Sequence, residues 1–169
     1  MKKGLKNTLV LVCVCAVMAL LMALTNFITA PVIAENEARA TEKALQQVMP
    51  QGRDFKPVSL NGNIPDTVTE IYSEAAGGYV FKLKTAGYGA DFIIMCGVDA
   101  SGTVTGAVCL SSNETLGQEK EFGSRFVGLD SAGVGLVETV AGATKTTAAY
   151  RAAVADALRA AEILREGSL

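Results

Sequence analysis

The sequence predicts an α+β protein in which an N-terminal transmembrane helix precedes a small domain with a largely antiparallel sheet and flanking helices. Three observations lead to this prediction. The stretch from Thr8 to Ala30 contains no charged residue. Between residues 67 and 111, alternating and apolar runs are separated by Gly-containing turns, as in strands joined by hairpins. The Ala-rich segment 148–166 has the apolar periodicity of a helix that packs on one face.

The charge-free run is long enough to cross a membrane. At about 1.5 Å per residue its length is about 34 Å, against about 30 Å for a hydrocarbon core. Lys2, Lys3 and Lys6 precede the run, which favours a cytoplasmic N-terminus and places the domain on the far side of the membrane. Pro31 is expected to end the helix, so residues 1–33 form the tip and the anchor. A cleaved signal peptide is the alternative, although its apolar region is usually only about 7–15 residues long.

Residues 34–49 are expected to form a connecting helix, and residues 50–169 the domain. The candidate inner stripe of the helix is Ala38, Leu45 and Val48, and the residues 49–52 (Met-Pro-Gln-Gly) end it. A stalk or lid helix and a solvated connector both fit this short stripe.

Within the domain, residues 55–65 are expected to form a loop, and strands are expected at 67–73, 78–85, 91–98, 103–111 and 133–137. The near-continuous apolar content of 91–98 and 103–111 predicts a sheet that is covered on both faces. If these two strands pair about a turn at 99–102, Cys96 and Cys109 lie about four positions out of register. At roughly 3.3 Å per residue that offset is too long for a disulfide, so free, mostly buried thiols are expected.

The composition excludes several classes of function. The chain contains no His, which rules out a His-dependent catalytic triad and a His-ligated zinc site, and no catalytic or metal-binding residue is assigned. Residues 35–169 carry 12 basic and 17 acidic side chains, a net charge of −5, which is unfavourable for nucleic-acid binding. The four cysteines form no CxxC pair, so the sequence shows neither an iron–sulfur nor a redox-dithiol motif.

The segment 138–147 (Glu-Thr-Val-Ala-Gly-Ala-Thr-Lys-Thr-Thr) leads into the last predicted helix and carries the main functional signal. Gly142 permits a tight turn there. Thr144, Thr146 and Thr147 place hydroxyls at a helix start, where free N–H groups and a partial positive charge favour a phosphate. The competing interpretation is that Thr146 or Thr147 is simply the N-cap of the helix.

The chain resembles the FMN-binding G subunit of the Rnf ion-translocating ferredoxin:NAD oxidoreductase, whose domain is shared by the C subunit of the sodium-pumping NADH:quinone reductase. The resemblance lies in the N-terminal anchor, in the hairpin that leads into Glu114-Thr115-Leu116-Gly117, and in Gly142-Ala143-Thr144 before the final helix. The loop lacks a Pro-Gly step that the family usually has. Glu138 stands where the family prefers Asp, and Ala141 stands where the family prefers Ser or Thr.

The resemblance implies the cofactor and the roles of the residues. In that family a separate flavin transferase joins FMN, taken from FAD, by a phosphoester to the threonine after Gly-Ala, which is Thr144 here. The residues expected around the phosphate are Gly142, Ala143, Lys145, Thr146 and Thr147. The residues expected to flank the ring are Glu114, Thr115, Leu116 and Gly117, with Thr115 forming a hydrogen bond and Leu116 an apolar contact.

The function implied is an electron-transfer subunit in a single-pass membrane complex that couples ferredoxin:NAD oxidoreduction to ion translocation. The other membrane subunits and the flavin transferase are the expected partners. The isoalloxazine ring itself performs the redox chemistry, which agrees with a chain that lacks His. Two alternatives remain open: a membrane-anchored, non-catalytic binding or scaffold module, and an FMN-bearing regulatory or reductase subunit outside Rnf.

Overall fold

The structure is a computed structural model that describes residues 2–60, 64–113, 117 and 119–167. The chain divides into two compact parts, Met1–Thr41 and Glu42–Leu169, which are described in turn. The α-helices are α1 (Lys2–Val48), α2 (Glu119–Phe122), α3 (Ser131–Leu136) and α4 (Thr144–Glu166), and a 3-10 helix, Gly123–Phe126, directly follows α2. The strands are β1 (Lys56–Val58), β2 (Val68–Ser73), β3 (Tyr79–Thr85), β4 (Phe92–Val98) and β5 (Val104–Ser111). The predicted α+β class is confirmed.

The first part of the chain contains α1 up to Thr41; in the described residues α1 is the one helix long and apolar enough to span a membrane. The expectation that Pro31 ends this helix is wrong, because α1 continues through Pro31 to Val48. A proline removes one backbone N–H, but the hydrogen bonds on both sides of it remain. The Thr29 hydroxyl, which donates to the Thr25 carbonyl oxygen at 2.9 Å, adds a bond in the preceding turn.

The second part is built on one antiparallel sheet with the strand order β1-β2-β3-β4-β5. In the β4–β5 hairpin, Cys96 lies opposite Ala107 and Ile94 lies opposite Cys109. The two cysteines are therefore two positions out of register, half the predicted offset, and neither of them forms a disulfide. Cys96 is buried and Cys109 is partly buried, whereas Cys13 and Cys15 are exposed on α1.

One face of the sheet packs against α4, and Tyr150 lies at the centre of this contact. Its ring stacks on Phe126 at a centroid distance of 5.5 Å and meets Phe92 and Phe122 edge-on, each at 5.7 Å. Burial raises the pKa of the Tyr150 phenol, and the neighbouring Cys96 and Cys109 thiols raise it further. The other members of this core come from β2–β5, α3 and α4: Val68, Ile71, Phe81, Leu83, Ile94, Cys96, Val98, Val104, Ala107, Val134, Ala153, Val154, Ala157, Leu158, Ala160 and Ala161.

The opposite face of the sheet is covered by the last turns of α1, so the prediction of a sheet covered on both faces is confirmed. Leu45 and Val48 are buried there, together with Val80 and Met95 of the sheet. Ala38 of the predicted stripe is exposed. The last turns of this helix are therefore part of the domain's core, and the solvated connector is excluded for them.

The end of α1 packs against two glycines that lie opposite each other in the hairpin, Gly97 and Gly106. A Cβ atom on Gly106 would lie 2.6 Å from the Val48 carbonyl oxygen, and one on Gly97 would lie 2.9 Å from it. The same carbonyl oxygen accepts a hydrogen bond from the Thr105 hydroxyl at 2.7 Å. The helix backbone thus approaches the sheet at a place where side chains are missing.

The structure differs from the prediction at three further places. The segment 133–137 is largely part of the helix α3, because the Asp130 carboxylate accepts a hydrogen bond from the Gly133 N–H at 2.8 Å and caps its start. The predicted loop 55–65 contains the short strand β1, which pairs with β2. The last helix begins at Thr144, one turn before the predicted start at Ala148.

Candidate functional site

The candidate site is the N-terminus of α4, a helix of 23 residues that begins at Thr144. The N-cap position is occupied by Ala143, whose side chain offers no hydrogen bond to the N–H groups of the first turn. In α3, by contrast, Asp130 supplies such a cap. Thr146 and Thr147 lie inside the helix, so the interpretation of either as the N-cap is wrong. The first turn of α4 therefore keeps N–H groups that an external anion can use.

The Thr144 side chain is exposed and lies directly at this helix start. Its hydroxyl oxygen is 3.5 Å from the Val140 carbonyl oxygen, the long limit of a hydrogen bond. Gly142 precedes it with a φ of +85°, a conformation that favours glycine, and no heavy atom lies within 4 Å of the position a Cβ would take. Lys145 is also exposed. The Thr144 hydroxyl is thus accessible to a large reagent.

Thr146 and Thr147 are both buried, unlike Thr144. The Thr147 hydroxyl donates to the Ala143 carbonyl oxygen at 2.9 Å and accepts a hydrogen bond from the Val140 N–H at 3.1 Å. Of the three threonines that the sequence analysis grouped around the phosphate, Thr144 faces solvent and Thr147 is bound to the segment before the helix.

Arg151 makes a further contact that the sequence analysis missed. Its guanidinium Nη1 donates to the carbonyl oxygen of Val137 at 3.0 Å, 14 residues earlier in the chain. The segment 137–143, called the approach segment below, is therefore bound to α4 by side chains of two successive turns. No local sequence signal identifies this contact, because it depends on how the approach segment folds back along the helix.

The second predicted contact region follows β5. Glu114, Thr115 and Leu116 lie outside the described residues, and Gly117 is exposed with a φ of +66°. At the end of this loop Glu119 is only 2% exposed, and its carboxylate accepts a hydrogen bond from the Ser112 hydroxyl at 2.7 Å. Ser112 and Glu119 thus fix the ends of the loop to each other.

A neighbouring loop, residues 86–90, packs against the start of this region. The Asn113 amide donates to the Ala90 carbonyl oxygen at 3.3 Å, and a Cβ on Gly89 would lie 2.8 Å from the Asn113 carbonyl oxygen. Tyr88 at the tip of the loop is 77% exposed. The sequence of residues 86–90 indicates a Gly-rich turn, which fits either a plain loop or a close approach to a ligand, but it does not predict that the ring of Tyr88 is exposed.

These observations test whether the residues fit a phosphate-linked group. An uncapped helix start supplies N–H donors, an exposed hydroxyl stands on its first residue, and the open space beside Gly142 leaves room for a bulky substituent. The exposed Lys145 adds a positive charge. The start of α4 therefore fits a phosphate group esterified to Thr144.

Comparison with known protein families gives two matches. Residues 1–48 match the RnfG N-terminal region, and residues 87–159 match the FMN-binding domain. The second match contains the loop 86–90 from Gly87 onwards, the loop after β5 and the start of α4.

Three relatives carry related names. The G subunit of the Na(+)-translocating ferredoxin:NAD(+) oxidoreductase complex of Acetobacterium woodii is 32% identical over 127 residues, which cover 66% of this chain and 61% of the relative. The G subunits of the ion-translocating oxidoreductase complexes of Stutzerimonas stutzeri and Cereibacter sphaeroides are 30% and 34% identical, over 62% and 63% of this chain. The chain covers 49% and 53% of these two relatives, so it spans about half to three-fifths of the lengths of all three.

Proposed function

Since the chain joins an RnfG N-terminal region to an FMN-binding domain and so belongs to the RnfG-type FMN-binding proteins, we propose that it is the FMN-bearing electron-transfer subunit of an Rnf-type membrane complex. In this proposal the complex couples ferredoxin:NAD oxidoreduction to ion translocation. The observation that carries the proposal is the start of α4, where an exposed threonine hydroxyl stands on an uncapped helix N-terminus inside the FMN-binding domain.

Thr144 is the proposed attachment site. Its hydroxyl oxygen forms the new bond to the FMN phosphorus while the pyrophosphate bond of FAD breaks, AMP leaves and the threonine proton is lost. A separate flavin transferase is the proposed catalyst, as the resemblance to the Rnf G subunits implies. The flavin when bound supplies one- and two-electron transfer.

The residues around Thr144 hold the resulting phosphodiester. The N–H groups of the first turn of α4 are the hydrogen-bond donors to the phosphodiester. A negative charge at a helix N-terminus is stabilised by about 0.3–1 kcal/mol. Lys145 provides a positive charge beside it. Gly142 and Ala143 keep the helix start free of competing side-chain groups. The proposed site is completed by Thr146 near the phosphate and, toward the ring, by the loop residues Glu114, Thr115, Leu116 and Gly117.

The proposed location is the cell membrane, with α1 as a single-pass anchor, the N-terminus in the cytoplasm and the FMN-binding domain outside it. Lys2, Lys3 and Lys6 before the apolar run support this orientation. A covalent link explains how a flavin is retained outside the cytoplasm, where a dissociating cofactor is lost. The proposed partners are the other membrane subunits of the complex.

The test is flavin fluorescence of the denatured protein on a gel after co-expression with a flavin transferase. The wild type and Thr144→Ser, which keeps a hydroxyl, are expected to fluoresce, and Thr144→Val is expected to be dark. Thr69→Val, at an exposed threonine on β2, is the matched control and is expected to fluoresce like the wild type. A dark wild type, or a fluorescent Thr144→Val band, refutes the attachment.

A further inference from the structure

The approach segment, residues 137–143, reaches α4 without regular secondary structure, yet it sets the position of Thr144. Val137 and Val140 pack against the core, and the Ala143 N–H donates to the Val140 carbonyl oxygen at 3.0 Å in a tight turn. Gly142, one position before the N-cap residue Ala143, has high conformational freedom. The segment therefore needs further contacts to keep a single conformation.

Those contacts come from α4 itself. Thr147 accepts a hydrogen bond from the Val140 N–H, and Arg151, one turn later, donates to the Val137 carbonyl oxygen. Neither contact involves Thr144. The same helix that begins with the reacting hydroxyl thus carries the side chains that hold the chain leading to it.

The Thr147 hydroxyl has no proton left for a phosphate. A hydroxyl has one O–H donor, and that of Thr147 is directed at backbone carbonyl oxygens, of Ala143 at 2.9 Å and of Thr144 at 3.4 Å. A phosphate oxygen requires a donor. Thr147 is also fully buried, so its role differs from that of the exposed Thr144.

We propose that Thr147 and Arg151 are positioning residues that hold the approach segment in the conformation in which Thr144 is modified. This inference rests on the proposed function and replaces the role of Thr147 as a phosphate contact by that of a backbone contact. Loss of the Thr147 hydroxyl leaves the Val140 N–H without its partner, and the equilibrium between the held and the open conformation shifts roughly tenfold toward the open one.

The experiment uses the full chain in detergent, with two readouts: the initial rate of FMN attachment by the transferase and the hydrogen exchange of the Val140 amide. In Thr147→Val the exchange rate is expected to rise about tenfold, and the attachment rate is expected to fall by up to about tenfold, according to how far the held conformation is depleted. Thr147→Ser restores the hydroxyl and is expected to return both toward the wild type. Arg151→Met, which keeps the apolar stem, is expected to slow attachment, and Arg151→Lys to recover part of the rate.

The matched control is Thr105→Val, which removes another hydroxyl-to-backbone hydrogen bond, the one to Val48. It is expected to leave both readouts within about twofold of the wild type. Unchanged attachment in folded Thr147→Val overturns the proposal, and so does slowed attachment with unchanged Val140 exchange, which instead indicates a phosphate contact. If the wild type takes up no FMN, the proposed function fails. The link to attachment then fails with it; faster Val140 exchange in Thr147→Val supports only that Thr147 holds the approach segment, and unchanged exchange overturns that as well.

Discussion

The substitution Gly106→Ala, which adds one methyl group, is expected to disrupt the packing of the end of α1 against the sheet. An ideal Cβ at this position lies 2.6 Å from the Val48 carbonyl oxygen, 2.7 Å from the Val48 Cα and 3.0 Å from its carbonyl carbon. All three are backbone atoms, so no side-chain rotation removes the clash. In Gly106→Ala the helix end has to move away from the sheet.

The magnitude follows from what that movement disturbs. Forcing an extra methyl group into a packed contact costs about 1–3 kcal/mol. A shift of Val48 also weakens the hydrogen bond from Thr105, which contributes about 1 kcal/mol. Part of the strain is relieved by the shift that breaks this bond, so the two costs do not add fully. Gly106→Ala is therefore expected to lower the free energy of unfolding by about 1.5–3.5 kcal/mol, less than the full sum of the two costs.

The assay is thermal and urea unfolding of the detergent-solubilised full chain by circular dichroism, together with hydrogen exchange of residues 42–52. Gly135→Ala is the matched control, since Gly135 lies in α3 and no heavy atom is within 4 Å of its Cβ position. It is expected to be neutral or to stabilise by up to about 1 kcal/mol. If Gly106→Ala unfolds like this control and residues 42–52 remain protected, the account of the contact is wrong.

Two further predictions concern the domain alone. In the described residues the buried Tyr150 hydroxyl has no hydrogen-bond partner, so Tyr150→Phe is expected to leave the unfolding free energy unchanged or raise it by up to about 1 kcal/mol; a clear loss in urea unfolding contradicts this. Burial raises the pKa of Asp99, but hydrogen bonds from the Ser101 hydroxyl and from the N–H groups of Thr103, Ser101 and Gly102 lower it below 3.8 overall. Asp99 therefore contributes stability that is fully present above about pH 4 and is lost as the pH falls through its folded pKa. Unfolding measured from pH 6 to pH 2 is expected to lose part of this acid dependence in Asp99→Asn, and an unchanged profile speaks against it.

Much of the fold could be predicted because its signals are local. The alternation in β3, the apolar runs of β4 and β5 and the turn at 99–102 depend on residues close together in the chain. The segment 133–137 resists prediction because Gly and Val there permit a strand, whereas the Asp130 carboxylate caps a helix. Pro31 lies inside α1, which the local rule that proline ends a helix does not predict.

The sequence by itself determined the apolar run, the acidic domain without His, and the threonine-rich segment that predicts an attached phosphate. Only the tertiary structure decided that Ala143 leaves α4 uncapped, that Thr147 turns inward to the Val140 amide, and that Gly97 and Gly106 receive the end of α1. The physical reason is distance along the chain. Periodicity and turn chemistry act over a few residues, whereas Thr105 meets Val48 across 57 residues and Arg151 meets Val137 across 14, at separations where no local pattern selects the partner.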